Sequence, residues 1–290
     1  MLIGHEKQWN FLKRSIELDK LSHAYLFAGQ EKLGKKKLAL EWISLLFKKD
    51  LQRTQHSDLI LIEPQEKEIQ IAQIRNLSWK LSLKPYLTPF KIAIIDRAHL
   101  MNQEAQTSLL KTLEEPKGNA ILILITEHPE IIFPTILSRV QIIKFYPVKK
   151  EEIKNYLKKQ GISEEKSEEV AKISLGRPGA AIEFISDSQR LESQKKIVEK
   201  LIEISNSNIA SRFHYAKAIS QEPNLGEILE IWISYFRNIL LTKLNGGNNL
   251  NQYSLPKLKN ILKLIQKTNF LISTTNVNPK LALETLMLEL

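Results

Sequence analysis

Five short stretches of this chain are apolar almost without interruption: 24–28 (AYLFA), 59–63 (LILIE), 92–96 (IAIID), 120–126 (AILILIT) and 141–145 (QIIKF). A strand with one face in water alternates apolar and polar residues. A run that does not alternate has both faces buried, as in a parallel sheet covered by helices. The segments between the runs carry helical spacing. Residues 36–47 are apolar almost all round, whereas 71–83 and 102–113 are amphipathic. Asn102 is placed to cap the last of these, with Glu104 near its positive end. Strand and helix in alternation predict βαβ units, and so a doubly wound α/β domain with a parallel sheet over residues 1–146.

Pro147 marks a change, because no convincing strand follows it. Residues 151–159 and 164–174 read as short helices. Gly176-Arg177-Pro178-Gly179 reads as a turn, and 180–185 as an apolar helix start. The expectation is a small helical domain over 147–187. From Ser188 onward helical periodicity dominates, at 197–204, 228–241, 258–270 and 281–290, with a loop at 243–252. Residues 188–290 are therefore predicted to form an all-α domain.

The sequence contains no cysteine, which excludes disulfides, thiolate zinc sites, iron–sulfur clusters and cysteine nucleophiles. The first twenty residues have no apolar signal core, and the longest apolar runs are far too short to span a bilayer. A soluble, cytoplasmic protein without membrane contact is expected. The formal net charge of +10 favours nucleic acid or acidic proteins as partners, or serves solubility alone.

The first apolar run leads directly into Gly29-Gln-Glu-Lys-Leu-Gly34-Lys35-Lys36, which matches G-x-x-x-x-G-K-[ST] at all but the last position. A strand precedes it and a helix follows, the context that a phosphate-binding loop requires. Glycines let the backbone N–H groups wrap a phosphate, and the helix N-terminus adds positive potential. Lys35 would reach the outer phosphates. The eighth position normally supplies a hydroxyl to Mg²⁺, but here it is Lys36. An ammonium has no lone pair to offer and repels the cation. The run KIAIID ends in Asp96, where a carboxylate would touch Mg²⁺. The next residue in many such ATPases is a glutamate that orients water; here it is Arg97, which stays protonated and cannot act as a base. Two requirements for hydrolysis are missing. The alternative for Asp96 is a strand-end carboxylate paired with Lys35 or Arg97.

Residues 96–116 (DRAHLMNQEAQTSLLKTLEEP) resemble the clamp-loader branch of the AAA+ ATPases. So do 21–29 (LSHAYLFAG), 134–139 (PTILSR) and 276–284 (NVNPKLALE). The resemblance covers essentially the whole chain, and within that branch it is closest to the subunits whose P-loop has decayed while an arginine finger remains. It implies three parts: an AAA+ RecA-like P-loop domain (1–146), a helical lid (147–187) and a helical collar for oligomerisation (188–290). It also implies membership of a hetero-pentameric ring in the replicative DNA polymerase III. The partners would be ATPase (tau/gamma) and delta subunits, the sliding clamp, and primed DNA through the complex.

The resemblance gives Arg139, in Ser138-Arg139-Val140, the role of a finger delivered in trans to a neighbour's γ-phosphate. Without the resemblance, Arg139 reads as an ordinary surface or capping arginine. Arg177 resembles the lid's sensor-2 arginine, with a turn-stabilising role as the alternative, and Thr126 falls where sensor 1 would lie. Gly29, Gly34, Lys35, Lys36, Asp96, Thr126 and Arg177 then form a vestigial nucleotide site, with residual phosphate or nucleotide binding at most. Many relatives carry a four-cysteine zinc module in the segment that here reads KKDLQRTQHS (48–57), so no zinc is expected, and no cofactor is required. Glu114-Glu115 reads as a helix end before Pro116. Two other functions stay open on the sequence: an active ATPase subunit of the same loader, and a stand-alone basic nucleic-acid-binding protein.

Overall fold

The computed structural model describes residues 2–48, 56–65, 67–116, 118–244, 253–275 and 277–290. The chain divides into two compact units, Met1–Ile182 and Glu183–Leu290. Residues 147–182 thus share a unit with the sheet.

The first unit opens with α1 (Glu6–Glu17), which the sequence analysis does not assign, and continues through β1 (Ala24–Ala28) and α2 (Lys35–Phe47). Next come β2 (Leu59–Ile62), α3 (Ile71–Ser82), β3 (Lys91–Ile95), α4 (Gln103–Glu114), β4 (Ala120–Thr126), α5 (Pro134–Leu137) and β5 (Gln141–Lys144). All strand pairs are parallel, in the order β2-β3-β4-β1-β5, with Ala28 level with Thr126 and Lys144. The sheet is α/β, as expected. Burial on both faces holds for β1 and β3, and for all of β4 after its first residue. It fails at the edge strands, where Leu61 and Ile142 are each 44% exposed, because an edge has no neighbour to cover it.

Two apolar layers cover the sheet. Ile74, Leu77 and Leu81 of α3 and Ala105, Leu109 and Leu113 of α4 pack with Leu26, Ile95 and Leu124 on one face. Trp42, Leu38 and Ile43 of α2 and Leu12 of α1 pack with Tyr25, Phe27 and Ile123 on the other. Strand β1 lies between β4 and β5, so the chain winds outward from it in two directions. A crevice forms outside the carboxyl ends of strands at such a switch point, and the glycine loop leaves β1 there.

Helices α6 (Lys150–Lys159), α7 (Glu164–Ile173) and α8 (Pro178–Ser186) follow the sheet. One close approach knits this helical part to the segment that leaves the sheet, and another ties it to the glycine loop. A Cβ at Gly176 (φ 76°) would lie 2.5 Å from the Val148 carbonyl oxygen, so only glycine fits. The Gly179 N–H donates to the carbonyl of Lys32, in the glycine loop, at 2.8 Å.

The second unit is helical: α9 (Ser188–Ser205), α10 (Ile209–Ile219), α11 (Leu225–Leu244), α12 (Leu255–Thr274) and α13 (Pro279–Glu289). Polar side chains cap four starts: Asp187, Asn208, Ser254 and Asn278 each accept a backbone N–H of the first turn. Its core gathers Leu229, Trp232 and Phe236 of α11, Leu258, Ile261 and Ile265 of α12, and Leu283, Leu286 and Met287 of α13. Among the described residues no helix is long and apolar enough to cross a membrane. The predicted loop at 243–252 and the expected zinc-free segment 48–57 fall largely on residues 245–252 and 49–55, outside the described ones.

Candidate functional site

The loop after β1 is built as its sequence requires. A Cβ on Gly29 (φ 154°) would stand 2.5 Å from the Phe145 carbonyl oxygen, and Gly34 (φ 91°) opens α2 in a left-handed conformation. Gly29 N–H donates to the Thr126 carbonyl at 3.1 Å, stitching the loop to β4. Lys35 is 6% exposed, and its Nζ donates to the carbonyls of Gly29 and Gln30, in its own loop. Burial pushes the Lys35 pKa below its ordinary value, against the opposing pull of Glu127, Glu31 and Asp96.

Lys36 turns the other way. Its ammonium is hydrogen-bonded to Glu63 and lies 3.1 Å from Asp96 Oδ2. Burial works against its charged form, yet Glu63 and Asp96 outweigh it and hold the pKa above the ordinary value. The partner of Asp96 is thus Lys36, and not the side chain of Lys35 or Arg97. Arg97 meets Asp96 only through its backbone N–H, at 3.0 Å, while its guanidinium pairs with Glu31 at 3.0 Å. The residue's left-handed backbone (φ 51°) sends the two groups in different directions. These carboxylates do not fit Mg²⁺: the position a metal would take between Asp96 and Glu63 is held by a cation with three donors and no acceptor.

Thr126 ends β4 and is 1% exposed. Its Oγ1 accepts the His128 N–H at 3.1 Å and lies 3.2 Å from His99 Nδ1. His99 Nε2 is 3.5 Å from Glu127. Burial first, then the charges of His128, Arg97 and Lys35, push the His99 pKa down to about 4, so the ring is neutral at pH 7. Arg177 stands at the start of α8, its backbone N–H donating to the Ser174 carbonyl at 3.0 Å.

Arg139 is not among these groups. It follows α5 and precedes β5, at the amino-terminal end of the sheet. Lys144 is level with Ala28, and Phe145 N–H donates to the Ala28 carbonyl, so the glycine loop begins where β5 ends. Arg139 lies two residues before β5, and from Gln141 to Phe145 the strand covers about 13 Å at 3.3 Å per residue. The guanidinium donates through Nη1 to the Thr135 carbonyl at 2.9 Å and to Ser138 Oγ at 3.2 Å. Nη2 forms an ion pair with Glu114 at 2.9 Å.

Sequence reasoning brings Gly29, Gly34, Lys35, Lys36, Asp96 and Thr126 to one end of the sheet and misses Glu63, Glu31, Glu127 and His99. Glu63 carried a signal, since it follows β2 as Asp96 follows β3, and parallel neighbours put both carboxylates on one edge. His99 carried none, because its place depends on the turn after β3.

Residues 4–149 match the family model described as DNA polymerase III, delta subunit. A DNA polymerase III subunit delta′ from Bacillus subtilis is 32% identical over 70% of this chain and 66% of its own length. One from Pseudomonas aeruginosa is 33% identical over 41% of each. The chain thus spans less than two thirds of these curated relatives. A solved structure of a DNA polymerase III gamma subunit-related protein from Thermotoga maritima is similar at 20% identity and a TM-score of 0.48, over 97% of each chain. A model match over about half the chain, with relatives of one name at a third identity, means that the chain belongs to the delta prime-type family of DNA polymerase III clamp-loader subunits.

Proposed function

We propose that this chain is a non-hydrolysing subunit of a DNA polymerase III clamp loader. It supplies Arg139 in trans to the ATP site of a neighbouring tau/gamma-type subunit while the ring, which also holds a delta subunit, places the sliding clamp on primed DNA. The observation that carries this reading is the separation of Arg139 from the chain's own glycine loop. The length of β5, about 13 Å, lies between them, and the guanidinium is held by Thr135, Ser138 and Glu114, so it has no part in a site at Lys35. A planar, permanently charged fork at an exposed sheet end suits a phosphate brought by another subunit. Lys36 on Asp96 and Glu63, with Arg97 on Glu31, supports the absence of intrinsic hydrolysis. The chain needs no metal or nucleotide of its own in this reading. Residues 147–187 serve as a lid over a vestigial site, and 188–290 as the collar that holds the ring.

Two measurements test it. The purified chain with Mg²⁺-ATP should show no turnover. Activity that Lys35→Ala abolishes would make it a motor subunit instead. In a reconstituted loader, Arg139→Ala should leave assembly intact and remove one class of hydrolysed ATP from the single-turnover burst. A full burst from a fully assembled variant would end the finger assignment.

A further inference from the structure

The helix end at Glu114 is joined to the arginine at the same end of the sheet. We propose that Glu114 is a positioning residue for Arg139, holding the guanidinium plane in the orientation that meets a neighbour's phosphate. The inference rests on the reading of Arg139 as a finger.

Glu114 is placed by the sequence around it. Pro116 disfavours helical backbone at the residue before it, and Glu115 is accordingly out of the helix (φ −124°, ψ 70°), so α4 stops at Glu114. Leu109 and Leu113 are buried against the sheet, which fixes the last turn of α4. The Glu114 carboxylate therefore projects from a rigid support, 2.9 Å from Nη2.

The guanidinium is approached from a second direction by α5. Pro134 opens that short helix, and Arg139 folds back over its turn to donate from Nη1 to Thr135 and Ser138. Acceptors on two separate elements define a plane, whereas the turn alone would leave the fork free to swing about its last torsions. An unrestrained arginine distributes itself over many rotamers, and ordering it costs entropy at the moment of use. The two side chains are 37% and 50% exposed. Exposed pairs contribute little to stability, so the consequence of this one lies in aim rather than in folding. With Nη1 on the turn and Nη2 on Glu114, the N–H on Nε is the part of the fork left for a phosphate in this reading.

The test uses reconstituted loaders carrying Glu114→Ala, Glu114→Gln, Arg139→Ala and the Glu114→Ala/Arg139→Ala double variant, read in the single-turnover burst. Glu114→Ala should slow the burst phase served by Arg139 about tenfold at saturating ATP, the order of loss that misplacement of a catalytic group produces. The ATP concentration giving half the rate should stay within about twofold. Glu114→Gln, whose amide oxygen can still face Nη2, should recover most of the rate. In the Arg139→Ala background, Glu114→Ala should cost nothing more, since residues acting through one another are not additive. If Arg139→Ala slows the phase and Glu114→Ala leaves or raises it, the positioning role is wrong and the finger stands. An equal further loss in the Arg139→Ala background also overturns it, because Glu114 then acts by another route. If Arg139→Ala itself changes nothing, the finger reading fails and takes this inference with it.

Discussion

At the carboxyl end of the sheet the charged groups answer one another: Lys36 is held by Asp96 and Glu63, Arg97 by Glu31, and Lys35 by its own loop's carbonyls. At the amino end, Arg139 has a single carboxylate and keeps part of its fork open to solvent. The two ends share a sheet, so rigidity does not separate them. They differ in how many carboxylates converge: Asp96, Glu63 and Glu31 meet Lys36 and Arg97 at one end, whereas at the other Glu114 alone meets Arg139, whose remaining hydrogen bonds go to its own turn.

The comparison breaks most easily at Arg139. Replacing it with lysine keeps the charge and removes the planar fork. If the fork is what matters, Arg139→Lys should lose about 10³-fold in the burst phase it serves, the lower end of what such fingers supply. Near-parental rates would mean that charge alone suffices.

Acid should separate the two ends. His99, at the carboxyl end, has a folded pKa of about 4 against an ordinary 6.5. Between those values the unfolded chain binds a proton that the folded chain refuses, so stability falls as the pH drops from about 6.5 toward 4. At the amino end, buried Asp58 accepts the N–H groups of Tyr86, Leu87 and Thr88 at 2.8 to 3.2 Å. Burial raises its pKa, but these hydrogen bonds outweigh that and hold it below 3.8. Its contribution is present above that value and is lost only as the pH falls through the folded pKa. Thermal melts of the parent should therefore weaken by several degrees between pH 7 and 5, and His99→Gln should flatten that step while leaving the loss below pH 4. An unchanged step in His99→Gln would assign the sensitivity elsewhere.

The smallest effect concerns Lys36. Lys36→Thr supplies the missing hydroxyl and frees Asp96 and Glu63, so Mg²⁺ should tighten binding of a fluorescent ATP analogue about tenfold over chelator. Hydrolysis should stay absent, because Arg97 remains. No gain in Mg²⁺ would mean that Lys35 and its loop carbonyls, rather than Lys36, close the site.

Much of this arrangement is legible in the residues. The run 24–28 is β1 without adjustment, and 120–126 is β4, because an unbroken apolar stretch bounded by a polar turn has few other solutions. Helix α9 extends from Ser188, well before the apolar core of 197–204, since Asp187 caps a polar first half that periodicity alone does not mark. Helix α10 escapes because small and charged residues dilute its apolar stripe, whereas the stripe of α1 (Trp9, Leu12, Ile16) is legible at helical spacing and is simply left unassigned. The glycine loop is legible down to its defect at Lys36, which is a local fact. What Lys36 and Arg97 each hold is not, because Glu63 and Glu31 reach them through strand order and a left-handed backbone. Glu114 is legible as a helix end but not as a neighbour of Arg139, which lies 25 residues on along the chain.

A magnesium ion has a concentration; the ammonium of Lys36 does not. Tethered by its own side chain between Asp96 and Glu63, it cannot be diluted, chelated or exchanged. The carboxyl end of the sheet therefore holds the same charge state whether metal and nucleotide are abundant or scarce.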